Sequence, residues 1–254
     1  MTWMAVLFGV VIGLALGLLG GGGSILTVPI FVYVLGYDAK DAIPMSLAVV
    51  GITSAVGAAT RWRDGAVHWR MGVLFGAVAT LGTYAGTRLA RLVPGTVQLA
   101  IFGIVMLLAA ALMARGRREP VSDSARGRGR FPLVALEGLF VGGLTGLVGV
   151  GGGFLIVPAL VLLSVPMHQA VGTSLLVIAM NCAVGLASSL GPARIVWSSV
   201  ALVAAGTLPG IAAGGALNRR ASQAVLRRGF AALLVVLATY ILYRNLPAAL
   251  AHAR

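Results

Sequence analysis

The chain has 254 residues, 59% hydrophobic and 10% charged, and its 19 Lys and Arg against 6 Asp and Glu leave a formal charge of +13. A soluble domain of this size carries about 25% charged residues, so the composition sets aside an ordinary soluble protein in favour of one embedded in a lipid bilayer. The arginines cluster between apolar runs without interleaved aromatic residues, a pattern that fits membrane topology and lipid headgroups and argues against nucleic acid as a partner.

The first apolar stretch, residues 4–35, is interrupted by Gly20, Gly21, Gly22, Gly23 and Ser24 and then runs into Val28–Pro29. Each glycine costs about 1 kcal/mol relative to alanine inside a helix, so four in succession break it. Within an apolar run this frees the backbone at membrane depth, which is tolerated only against protein or a water-filled cavity. The stretch lacks a basic leader and a cleavage signal, so it reads as a retained span. Asp38, Lys40 and Asp41 then read as a solvated loop.

Spans close to the 20 residues a bilayer needs follow at 42–59, 69–88 and 97–114. Residues 115–130 form a hydrophilic linker with six arginines, the best candidate for the cytoplasmic side. A second glycine-broken stretch covers residues 131–163, with Gly149, Gly151, Gly152 and Gly153 leading into Val157–Pro158. Further spans lie at 170–189, 195–217 and 226–242.

The two halves repeat each other. Gly9, Gly13, Gly17, Gly20, Gly22 and Pro29 recur 129 residues later as Gly138, Gly142, Gly146, Gly149, Gly151 and Pro158. After a one-residue slip, Ser46 matches Ser174, Gly57 matches Gly185, Trp69 matches Trp197 and Phe102 matches Phe230. The expected architecture is therefore all-α and polytopic, with a transmembrane repeat at 1–114, a basic linker at 115–130 and a second repeat at 131–254. Tandem duplication is a common transporter design.

The 32 residues of the first broken element would make a helix of about 48 Å, against a hydrocarbon core of about 30 Å. One reading is a V that enters, turns at the glycines and returns, which makes the repeats inverted. The other is one tilted, broken span, which makes them parallel. Arginine placement barely separates the two; the length favours inversion.

Each glycine turn would end one half-helix and start another, near Ser24 and near Phe154. The free N–H groups and positive dipole ends of the second half-helices would face the membrane interior and form a site for a small anion. The turn residues Gly20, Gly21, Gly22, Gly23, Ser24, Gly149, Gly151, Gly152 and Gly153 are the substrate-binding candidates, joined by Ser46, Ser174 and Asn181. Hydroxyl and amide donors suit an ion that must leave again, although an intramembrane serine more often bonds its own helix backbone. Gly9, Gly13 and Gly17, with Gly138, Gly142 and Gly146, also fit small-xxx-small helix packing. Glu137 is a candidate proton-coupling carboxylate, weighed against an interfacial position beside the linker. Arg88 ends a span and reads as snorkelling to the interface.

Rival chemistries fare worse. No Lys-Ser/Thr pair follows the glycines, so a phosphate loop fails. His68, His168 and His252 fall in loops or at the terminus, which leaves no Ser–His pair for a hydrolase and no metal-ligand cluster. The single Cys182 reads as a small packing residue. No cofactor is expected, and a homo-oligomer is compatible with the sequence.

The glycine-rich turns running into Val28–Pro29 and Val157–Pro158, with Pro44–Met45–Ser46 and Gly172–Thr173–Ser174, resemble the TauE/SafE sulfite exporter family over nearly the whole chain. The positions that match its motif are Gly20, Gly22, Gly23 and Pro29, with Gly149, Gly151, Gly152 and Pro158. The resemblance implies a multi-pass inner-membrane protein that moves small sulfur-containing anions such as sulfite or organosulfonates, usually outward. A passive anion channel and a non-transporting membrane adaptor are the alternatives.

Overall fold

A computed structural model describes residues 2–90, 92–115, 131–148, 153–163, 165–189 and 194–251. Gly149, Gly151, Gly152 and nearly all of the basic linker lie outside the described residues. Ten α-helices make up the described chain: α1 Thr2–Leu19, α2 Gly22–Pro29, α3 Ala39–Arg63, α4 Trp69–Ala90, α5 Gly95–Arg115, α6 Phe131–Val148, α7 Gly153–Leu162, α8 Met167–Ser189, α9 Trp197–Arg220 and α10 Gln223–Ala251. Among the described residues there is no strand. The helices α3, α8 and α9, and residues 224–244 of α10, are long and apolar enough to cross a bilayer.

The spans expected from the sequence appear, longer by a few residues at most ends. One local expectation fails. Lys40 and Asp41 are not loop residues but form the first turn of α3, with Asp38 at its N-cap position. An acid in a first turn complements the helix dipole, and contacts from elsewhere fix the turn. Lys40 donates to the carbonyls of Ala90 and Val93, and Asp41 accepts the Arg194 N–H at 2.9 Å.

The most enclosed helices are α3 and α8, 72% and 61% buried along their apolar cores, against 28% for α10. They cross antiparallel, since Gly51 meets Cys182, Gly57 meets Leu175 and Gly185 meets Leu47. Around them α1 packs on α9, α4 on α6 and α5 on α10. The outer faces carry exposed Leu81, Ile104 and Val236, apolar side chains that lipid would cover.

Glycine sets the closest approaches. A Cβ on Gly9, Gly13 or Gly17 would overlap the backbone carbonyl of Val203, Thr207 or Ile211 in turn. Both series advance four residues at a time, so α1 and α9 run parallel in close backbone contact. The pairs Gly142–Ala79 and Gly146–Thr83 do the same for α6 and α4. These upstream glycines are packing residues of the small-xxx-small kind.

Candidate functional site

The first glycine cluster breaks the helix as its composition demands. Leu19 ends α1, and Gly20 adopts φ +75°, the left-handed conformation that closes a helix, with its N–H donating to the Leu16 carbonyl at 2.8 Å. Gly21 stands at the N-cap of α2 with no side-chain cap. The chain then doubles back. A Cβ on Gly23 would strike the Ile12 carbonyl and Leu16, while Ile30 and Phe31 join Ala5 and Ile12 in one buried cluster. The new helix starts two residues before Ser24, so Gly22 and Gly23 sit in its first turn instead of in the turn itself. First-turn N–H groups have no intrahelical partner in any helix, and that orphaned state is what a bound anion exploits.

Pro29 sets the other end of α2. It removes one helical N–H, and the chain continues as a π-helical turn, Ile30–Val34, closed by the Leu35 N–H to the Ile30 carbonyl at 3.0 Å. Pro158 sits within α7, where the Val165 N–H likewise reaches the Leu160 carbonyl five residues back, at 3.0 Å.

The two turns meet. A Cβ on Gly153, the first residue of α7, would lie 2.8 Å from the Gly21 Cα and against the Ile178 side chain. A Cβ on Gly20 would lie 2.7 Å from the Ser174 Oγ and 3.0 Å from the Val171 Cα. Ser174, Ile178 and Asn181 recur at helical spacing on one face of α8, whose Ser174 meets Gly20 and whose Ile178 meets Gly153. The N-termini of α2 and α7 thus converge on a single place beside α8.

The polar candidates divide there. Ser24, Ser46 and Ser174 are fully buried, and each hydroxyl donates to a carbonyl three residues back, of Gly21, Ile43 and Val171, at 2.7, 2.7 and 2.8 Å. Their donors are spent on their own backbone, and of the three it is the Ser174 Oγ that lies against Gly20. Asn181 differs. Its Oδ1 accepts from the Thr80 hydroxyl at 3.2 Å, while its Nδ2 is buried without a hydrogen-bond partner. A buried amide donor left unmade costs about 1–3 kcal/mol. The position matching Asn181 in the first half, Thr53, is instead satisfied by Thr207 across α9 at 2.6 Å.

Glu137 lies half-buried on α6, six residues after the helix begins. Arg88 is exposed and folds onto the Tyr84 ring, 5.1 Å from its centroid, as an interfacial arginine would. Cys182 packs against Gly51 in the α3–α8 crossing.

A further cluster escaped the sequence reading. Arg61, in the last turn of α3, is only 4% exposed. Its guanidinium donates to the Gly17 carbonyl at 2.7 Å and to the Asn218 Oδ1 at 2.8 Å. Asn218, on α9, donates to the Leu18 carbonyl at 2.6 Å and also meets the His168 ring nitrogen at 3.0 Å. The nearby Asp64 is engaged by Arg219 at 2.6 Å on the surface, so among the described residues it reaches Arg61 only through its field and not as a direct ion pair. One signal in the sequence marks it: Ser54, Gly57, Ala58 and Arg61 follow the buried phase of α3, whereas Arg63 falls outside it.

A family model described as sulfite exporter TauE/SafE matches residues 5–241. A probable membrane transporter protein of Xylella fastidiosa is 34% identical, covering 93% of this chain and 93% of its own length. A probable membrane transporter protein of Bacillus subtilis, YunE, is 26% identical over 95% of this chain and 97% of its own. One from Methanocaldococcus jannaschii is 27% identical over 74% of this chain and 72% of its own. No solved structure gives a significant match.

Proposed function

The chain belongs to the sulfite exporter TauE/SafE family and is a multi-pass membrane transporter, not an enzyme; from that premise we propose that it exports a small oxyanion, sulfite or an organosulfonate, across the inner membrane. The observation that carries this reading is the approach of Gly153 to Gly21, which aims two helix N-termini at one buried place. Orphaned N–H groups and two positive dipole ends favour an anion without fixing a full counter-charge beside it. Asn181 supplies the spare donor on the adjoining face of α8. Hydrogen-bond donors alone hold an oxyanion weakly enough for it to leave.

The halves act as inverted repeats, 1–114 and 131–254, related by a two-fold axis between the turns. The antiparallel crossing of α3 and α8 supports inversion, since parallel copies would align these matched helices. The exchange of partners, α1 onto α9 and α6 onto α4, fits a two-fold relation between the halves. With the basic linker inside, the shared end of α3 and α9, where Arg219 meets Asp64, faces the cytoplasm.

A monovalent anion leaving a negative-inside cell gains about 2.3 kcal/mol per 100 mV, roughly a 50-fold concentration ratio, so export needs no coupled ion. Glu137 as a proton-coupling group is not needed for that drive. The test is counterflow in proteoliposomes with sulfite, sulfate, sulfonates and carboxylates. Trans-stimulated exchange of a sulfur oxyanion is the expected result. Flux without trans-stimulation would indicate a channel, and no flux of any anion would indicate an adaptor.

A further inference from the structure

We propose that Arg61, with Asn218 and His168, forms a second oxyanion-binding site at the cytoplasmic mouth, one helical turn before the Gly20 break. A buried guanidinium is expensive unless a negative charge meets it. Here its visible partners, the Gly17 carbonyl and the Asn218 amide oxygen, are neutral, and the nearest acid is held by Arg219. Planar, multiply donating guanidinium matches an oxyanion's paired oxygens better than an ammonium does. The Asn218 side chain joins the Arg61 guanidinium to the His168 ring and to the last carbonyls of α1. An anion held by Arg61 therefore touches the same helix end whose next residues form the turn. It would wait there before moving on to the Gly21–Gly153 meeting point.

The identity of the anion as the exported one rests on the transport reading above; the existence of the site does not. Oxyanion chemistry is shared by free sulfite and by acidic lipid headgroups, so the test has two lipid arms. The full chain is reconstituted in pure phosphatidylcholine or with added phosphatidylglycerol, and thermal unfolding is followed with and without sulfite or sulfate. In phosphatidylcholine the wild type should gain stability with a saturable dependence on sulfite. Arg61→Lys should raise the half-saturating concentration about tenfold. Asn218→Asp, which sets a carboxylate against Arg61 at nearly unchanged volume, should do the same and covers the case in which Arg61→Lys does not fold.

A purely structural arginine, capping helix carbonyls, would lower the variants' baseline unfolding temperature and leave the sulfite-dependent gain untouched; that result overturns the proposal. So does a wild type stabilised only by phosphatidylglycerol, which would make this a lipid site, or one indifferent to every oxyanion. Absent counterflow in a wild type that still binds sulfite through Arg61 would instead sink the transport reading.

Discussion

Glycine does two different jobs in this molecule, and the contrast separates what holds the fold from what serves transport. Gly9, Gly13 and Gly17 let α1 lie backbone to backbone against α9, and nothing about their conformation is unusual. Gly20 instead reverses the chain through a left-handed backbone, against α7 and α8. The first kind is a matter of space between helices and the second a matter of conformation at a break. Only the second kind stands beside the convergent N-termini.

The largest expected effect breaks the packing class. Gly13→Leu places a side chain into the Thr207 backbone, and overpacking of this kind costs about 1–3 kcal/mol or more. Folded, monodisperse protein should be lost on size-exclusion chromatography, with no transport left to measure. Next comes Gly20→Ala, for which left-handed strain costs about 1–2 kcal/mol and the new methyl presses on Ser174 and Val171. The protein should insert and fold, while counterflow falls by an order of magnitude or more. Gly36 sharpens the point, because it has the same φ of +75° with nothing within 4 Å of its Cβ position. Gly36→Ala should show the strain in a thermal melt and leave counterflow alone. Equal transport loss in both would mean that the turn acts through stability only.

Smaller effects are expected where the halves differ. Asn181→Leu removes an unpaired donor together with the acceptor of the Thr80 bond, two opposing changes, so stability should change by less than about 1 kcal/mol while counterflow drops severalfold. Thr53→Val, at the matching position, breaks a made hydrogen bond to Thr207 and should cost about 1 kcal/mol with transport preserved. Smallest of all is Asp64→Asn. The ion pair with Arg219 is exposed, with side chains 59% and 41% accessible, so chemical denaturation should move by less than about 1 kcal/mol.

Much of this was legible in the sequence because membrane depth punishes irregular backbone. The run Gly20–Gly23 and Pro29 announced a break, and the break is there. Apolar length placed α3, α4, α8 and α9 within a few residues. The direction of the chain after Gly21 was not legible, since the same residues suit a V or a tilted span, and only contacts such as Gly23 to Leu16 decide it. Ser46 and Ser174 show another limit: a hydroxyl's type says nothing of whether it donates outward or to its own helix, and both donate inward. Arg61 was hidden for a different reason. In composition it is one of several arginines near a span end, and its partners come from two helices distant in sequence, α1 and α9.

The central claim, that an oxyanion sits where the two broken helices meet, is tested most directly by locating one. Selenite, an analogue of sulfite whose selenium scatters anomalously, can be soaked into crystals of the full chain. The account predicts an anomalous peak beside the Gly21–Gly153 contact, within hydrogen-bonding reach of the α2 and α7 N-termini and the Asn181 amide. A peak at Arg61 alone, with none at the meeting of the turns under saturating selenite, would contradict it.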